Sequence, residues 1–362
     1  MRLVKLLCCT ILAAAALAHD AAGAVLQPVS VRKLETPAFG VAWLDGETLL
    51  LAGGTGVIAF SPSTGKQTLV IPPSAVPDGL PDPLSVRTDG VSVIASNGFM
   101  RTQFACSAAD GRRIFARSSR GFEVIDLAVW RDNLYVLGWP TGAHGAANPD
   151  GVAVWGGRIT GRFEQLLPLH RIQSGPDSVA IFNDSLPGYG GALAIERDGT
   201  VDVLTAAEPG LFQYSPSGKL LRTLGIGLAE LVQPHMHEIN FVYATDALAR
   251  YQRVVNAQPM AEDVVATDDG PAILVRVSHG EKIGWELWYP GPVRTRARVT
   301  LGVTRNGPFG HMACGARGRE LACVYQATAA ARDGLEQDPR KLPTYLVRFT
   351  LPKLAASNVA AK

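Results

Sequence analysis

One short pattern recurs along this chain and constrains its fold more than any other feature. In Gly210–Gly225, GLFQYSPSGKLLRTLG, apolar Leu211, Phe212 and Tyr214 lead into Ser215-Pro216-Ser217-Gly218-Lys219, and Leu220, Leu221 and Leu224 lead out. Two apolar runs around a Ser/Pro/Gly turn are a hairpin signature, with the glycine supplying the turn's positive φ. Val57–Ile71 repeats it around Phe60-Ser61-Pro62-Ser63-Thr64-Gly65-Lys66. Cys106–Arg112 is a third copy, Trp155–Arg162 a fourth, and weaker echoes fall at Tyr289 and Phe349. From Phe60 through Cys106, Trp155, Tyr214, Tyr289 and Phe349 the spacings are 46, 49, 59, 75 and 60 residues. Such a period belongs to repeat architectures, and four strands with their turns fit inside each interval.

A second column opens each repeat, where an alternating apolar run ends in an Asp-Gly or similar turn: Gly40–Gly46, Leu84–Gly90, Leu127–Asn133, Ser178–Asp184, Val264–Gly270 and Met312–Gly318. Another strand-like run follows each, the fourth of these being Ala192–Ile195. An opening and a closing hairpin give four strands per repeat, the unit of a propeller blade. The expected fold is therefore all-β, a six-bladed β-propeller with blades near 37–75, 81–120, 123–170, 175–227, 260–303 and 308–350. The last copy is one strand short, and Val25–Leu34, with alternating Val29 and Val31, is placed to complete it and close the ring's open edge. Between the fourth and fifth copies, Leu248, Tyr251 and Val255 share one helical face within Asp246–Asn256. This is either a short helical insertion or, with Ile239–Tyr243, part of a seventh blade.

Arg2 and Lys5 precede an apolar run, Leu6–Leu17, with small residues at Ala18 and Ala24, the layout of a cleaved secretory signal too short to span a bilayer. The division expected is a signal peptide at 1–24, one propeller domain at 25–352 and a tail at 353–362, with the mature protein secreted or periplasmic. A formal charge of +2 gives no bulk attraction to nucleic acid, and no second long apolar segment suggests a transmembrane span. Cleavage leaves Cys106, Cys314 and Cys323, an odd number. Cys314 and Cys323 flank a turn on adjacent strands; they are either bridged or two small buried apolar side chains, and Cys106 is left over.

Inner strands of a propeller line its channel, so residues six positions before each opening turn gather near one mouth: Phe39, Pro83, Asp126, Asp177, Asp263 and His311. Asp126, Asp177, Asp263 and His311 form an oxygen-rich set suited to a divalent metal, Ca²⁺, Mn²⁺ or Zn²⁺. The competing reading is that these Asp residues fasten turns to backbone N–H groups. His235-Met236-His237-Glu238 is a second concentration of ligands without an identifiable third partner. No Gly-x-Ser-x-Gly elbow is present, and Gly53-Gly54-Thr55-Gly56 lacks the Lys and helix of a phosphate loop. Trp130, Trp139, Trp155, Trp285 and Trp288 either form a sugar-stacking or protein-binding surface or pack between blades.

FSPSTGK at 60–66, YSPSGK at 214–219 and openings such as EDVVATDDG at 262–270 resemble six-bladed propellers of the NHL-repeat and gluconolactonase-like kind. The gluconolactonase side of that resemblance implies an axial divalent metal that polarises a lactone carbonyl and activates water, with Asp177 and Asp263 in openings similar to that family's motif. Where its early Glu ligand belongs, this column has Phe39. Two functions stay open: an exported binding or scaffolding propeller, whose partner is a protein or small-molecule ligand met on a loop face, and a metal-dependent hydrolase of the lactonase or esterase kind.

Overall fold

A computed structural model describes residues 25–75, 83–97, 103–108, 115–118, 122–140, 150–160, 165–183, 191–205, 207–225, 259–279, 282–291, 297–306, 312–326 and 343–354. The expected leader, residues 355–362 of the expected tail, the helix expected within 246–256, His235–Glu238 and His311 lie outside the described residues. Two short strands come first, β1 (Val25–Leu26) and β2 (Ser30–Lys33). The first sheet is β3 (Ala38–Trp43), β4 (Leu49–Gly53), β5 (Gly56–Phe60) and β6 (Gln67–Ile71); the second is β7 (Pro83–Thr88), β8 (Ser92–Asn97), β9 (Gln103–Ala108) and β10 (Phe115–Ser118). The third is β11 (Phe122–Trp130), β12 (Asn133–Pro140), β13 (Val152–Arg158) and β14 (Leu167–Arg171). Helix α1 (Pro176–Asn183) precedes the fourth, β15 (Gly191–Ile195), β16 (Val201–Thr205), β17 (Gly210–Tyr214) and β18 (Leu220–Gly225). The fifth is β19 (Met260–Thr267), β20 (Gly270–His279), β21 (Lys282–Tyr289) and β22 (Ala297–Asn306), to which β1 adds in parallel. The sixth joins β23 (Met312–Arg317), β24 (Glu320–Gln326) and β25 (Thr344–Thr350) to β2 from the other end of the chain.

All six residues of the hairpin column lie on third strands, β5, β9, β13, β17, β21 and β25. The turns are built as their residues demand: Ser61 N–H donates to Lys66 O at 2.9 Å and Ser215 N–H to Lys219 O at 2.8 Å, with Gly65 and Gly218 at φ 75° and 86°. Asp45, Asp89 and Asp198 fasten the opening turns through side-chain oxygens that accept from Thr48, Ser92 and Thr200 N–H groups. The inner strands β3, β7, β11, β15, β19 and β23 lie side by side in that order, and β23 returns to β3, closing a ring.

Among the described residues, six apolar clusters hold the ring, each between two neighbouring sheets. Alternation explains this: Leu49 and Leu51 of β4 face the sixth sheet, whereas Leu50 and Ala52 face the second. Each sheet is buried on both faces, which accounts for the near-continuous apolar strands.

The fourth opening requires a correction. Ser178–Asn183, read from sequence as the inner strand, is helix α1, and Ala192–Ile195, read as the second strand, belongs to the inner strand β15. Pro176 follows Gly175, which has φ 99°; a proline pre-set for the first helical turn and an acidic Asp177 beside it favour a helix start over a strand. The true opening turn is Asp198-Gly199, and six positions before it stands Ala192. No helix among the described residues is long and apolar enough to cross a membrane.

Candidate functional site

Four inner strands carry a one-residue bulge at the same level. The register skips Phe39 in β3, Leu84 in β7, Ile125 in β11 and Glu262 in β19. A bulge re-aims the residues around it. The positions just after the bulges are Gly40, Ser85, Asp126 and Asp263, so the two carboxylates occupy equivalent places in the third and fifth sheets.

Between them lies Arg87, two positions beyond Ser85 on β7, where the equivalent residues of the other three strands are Ala42, Ala128 and Val265. Its guanidinium forks onto Asp263, Nη1 donating to Oδ2 at 3.1 Å and Nη2 to Oδ1 at 2.5 Å, and Nη2 also donates to Asp126 Oδ2 at 3.2 Å. Asp126 Oδ2 accepts in addition from Leu193 N–H of β15 at 2.9 Å, and Asp263 Oδ1 from Val264 N–H at 2.8 Å. Both carboxylates are buried, and the Arg87 side chain is 19% exposed. Burial works against the charge on Arg87, but the fields of Asp263 and Asp126 outweigh it and raise its pKa. Burial, reinforced by Asp126, raises Asp263 in spite of Arg87. Arg87 Nε is buried without an acceptor among the described residues.

Of the four residues expected to share a metal, Asp126 and Asp263 therefore meet, and they meet on a guanidinium. Asp177 is exposed in the first turn of α1, away from the inner strands. His311 lies outside the described residues. The donor set suits Arg87 better than a hard cation: both oxygens of Asp263 and Oδ2 of Asp126 are directed at N–H groups. Among the described residues, no group of three His, Cys, Asp or Glu side chains is placed to hold a metal ion.

Three further polar groups are built into the seams between sheets. Glu262, turned out by the bulge, accepts from Trp285 Nε1 at 2.9 Å and Met312 N–H at 3.2 Å, with Arg276 Nε at 3.9 Å. His170 bridges Tyr214 OH and Glu208 Oε2 at 2.6 Å each, and Glu208 also accepts from Thr205 Oγ1 and Gln173 N–H; both ionisable side chains are fully buried, so this network ties the third sheet to the fourth. Gln213 Nε2 donates to Asp202 Oδ1 at 2.6 Å and Glu196 Oε1 at 2.7 Å. Trp139, Trp285 and Trp288 are buried in the inter-sheet clusters. Cys314 and Cys323 face each other across β23 and β24 and are disulfide-bonded, with Cα atoms 4.1 Å apart.

No family model and no curated protein matches this chain. Among solved structures it is similar to a member of the DUF4221 family from Bacteroides vulgatus, at 8% identity and a TM-score of 0.52 over 91% of this chain and 99% of that one. The WD40 repeats of RRP9 align at 13% identity and a TM-score of 0.46 over 90% and 99%, and virginiamycin B lyase from Staphylococcus aureus at 10% and 0.42 over 89% and 99%. At such identities the likeness to the DUF4221 member is one of fold and agrees with the sheets and ring described above: the protein is an all-β propeller.

Proposed function

We propose that this protein is an exported six-bladed β-propeller that acts as a binding or scaffolding module, meeting its protein or small-molecule partner on one loop-bearing end. The observation that carries this is an asymmetry in the connections. The described strands between which 141–149, 184–190, 226–258 and 327–342 fall in the sequence follow one another from sheet to sheet or from second strand to third, and such strand ends lie where the inner strands begin. At the other end inner strands turn within a few residues, as at Arg131-Asp132 and Asp268-Asp269. Long connections on a rigid scaffold are where propellers and barrels place variable contacts. Export is supported by the Arg2–Ala24 leader pattern and by the Cys314–Cys323 disulfide, which suits an oxidising compartment.

The hydrolase reading needs carboxylate oxygens free for a metal, and Arg87 already engages both oxygens of Asp263 and Oδ2 of Asp126. Elemental analysis of the mature protein after exposure to calcium, manganese and zinc separates the two. The binding module is expected to retain no stoichiometric metal; a metal retained by the wild type and lost in Asp126→Asn/Asp263→Asn would favour the hydrolase. For the face itself, shortening 327–342 is expected to abolish capture of a partner that a changed 61–66 turn leaves intact.

A further inference from the structure

We propose that Arg87 is a latch across the propeller axis, coupling the second and fifth sheets, which share no apolar cluster among the described residues. In a ring of six sheets, the second and fifth stand opposite each other, and each apolar cluster joins a sheet to its neighbours alone. The Arg87–Asp263 fork spans that diameter. Through Asp126 and its bond from Leu193 N–H, the same guanidinium engages the third and fourth sheets, so four inner strands converge on one group. The charged groups acting on Arg87 are Asp263 and Asp126. On the opposite side of the ring the sixth sheet is completed by β2, which pairs with β25 over four residues, Ser30 to Lys33, all exposed. A brace on the axis restrains the dilation that would otherwise strain this seam and fixes the spacing of the loop-bearing end. The latch follows from contacts on the inner strands and does not depend on what the propeller binds.

The test is hydrogen exchange, read by mass spectrometry on the full mature chain. Arg87→Met strands two buried carboxylates and would destabilise the protein whether or not the contact is a latch. The informative protein is therefore Arg87→Met/Asp126→Asn/Asp263→Asn, which removes all three charges and the fork together. A latch requires exchange in β15 and β19 to quicken at least about tenfold in this variant at denaturant-free pH 7, the factor that loss of a charged hydrogen bond supplies. Wild-type exchange rates in β15 and β19 would overturn the proposal and leave Arg87 a charge neutraliser. Should the triple variant not fold, Asp263→Asn carries the same comparison, since it keeps the Arg87–Asp126 pair and weakens the contact across the axis.

Discussion

Arg87 and Asp263 lie 176 residues apart in the chain and on opposite sides of the ring, yet their side chains form a two-bonded fork of 2.5 and 3.1 Å. A fork depends on the flat guanidinium more than on its charge. Arg87→Lys keeps the charge, cannot make both bonds to Asp263 while reaching Asp126, and is expected to lower stability by roughly 1.5–3 kcal/mol, the range for hydrogen bonds to charged groups. Urea unfolding followed by tryptophan fluorescence measures it; an unchanged midpoint would mean that the fork contributes nothing beyond charge.

Cys314 and Cys323 close a short loop between the first two strands of the sixth sheet, the sheet assembled from both ends of the chain. A bridge over a loop of this size stabilises by about 2–3 kcal/mol, chiefly by restricting the unfolded chain. Replacing both by Ala is expected to lower the urea midpoint accordingly, and adding reductant should then change nothing further. If reductant shifts the wild type and the double variant equally, another thiol is responsible.

Much of the architecture was legible because each repeat carries its own local chemistry. Phe60 and Tyr214 mark third-strand ends because Ser-Pro-Gly turns follow them, and Asp45 and Asp89 mark inner-strand ends because their carboxylates fasten the turn. The reading failed at Ser178–Asn183, where alternation and helical periodicity cannot be told apart over so few residues and Gly175-Pro176 decided for the helix. At the axis the count from the turn reaches Asp126 and Asp263, which meet on Arg87, but it places Asp177 on a strand where the chain forms α1. Arg87 was missed although a signal existed: a charge on a strand whose counterparts hold Ala42, Ala128 and Val265. Its partners come from the third and fifth sheets, and no local pattern reports a contact across a ring.

Asp202 is fully buried on β16, with Oδ2 unpartnered among the described residues and Oδ1 sharing one amide nitrogen with Glu196. Burial pushes its pKa up to about 8, the nearby Glu196 and Asp198 charges adding to the effect against Gln213 and Arg222. Between the ordinary carboxylate value of 3.8 and about 8, the folded protein holds a proton that the unfolded chain has released. Stability contributed by this group therefore falls as pH rises through that window, by several kcal/mol at about 1.4 kcal/mol per unit. Asp202→Asn, uncharged throughout, is expected to flatten the slope and to be more stable than the wild type at pH 8.5. Parallel wild-type and variant melting curves from pH 5 to 8.5 would remove Asp202 as the cause.

Gly138 on β12 stands at the bulge that aims Asp126 toward the axis. It has φ 151°, and a Cβ there would lie 2.0 Å from Glu123 O, a backbone atom that cannot swing aside. Trp155 Nε1 donates to Gly138 O at 3.1 Å, so a shift of this residue also disturbs the packing of Trp155 on Phe122. Gly138→Ala is expected to cost more than about 3 kcal/mol, because it combines a strained backbone with overpacking. Gly270→Ala is the control: φ there is 103° but nothing lies within 4 Å of the added carbon, so only backbone strain of about 1–2 kcal/mol applies. Denaturant midpoints of the two variants separate the steric from the conformational cost. Equal losses would show that the bulge accommodates a side chain, and that Asp126 does not depend on this glycine for its aim.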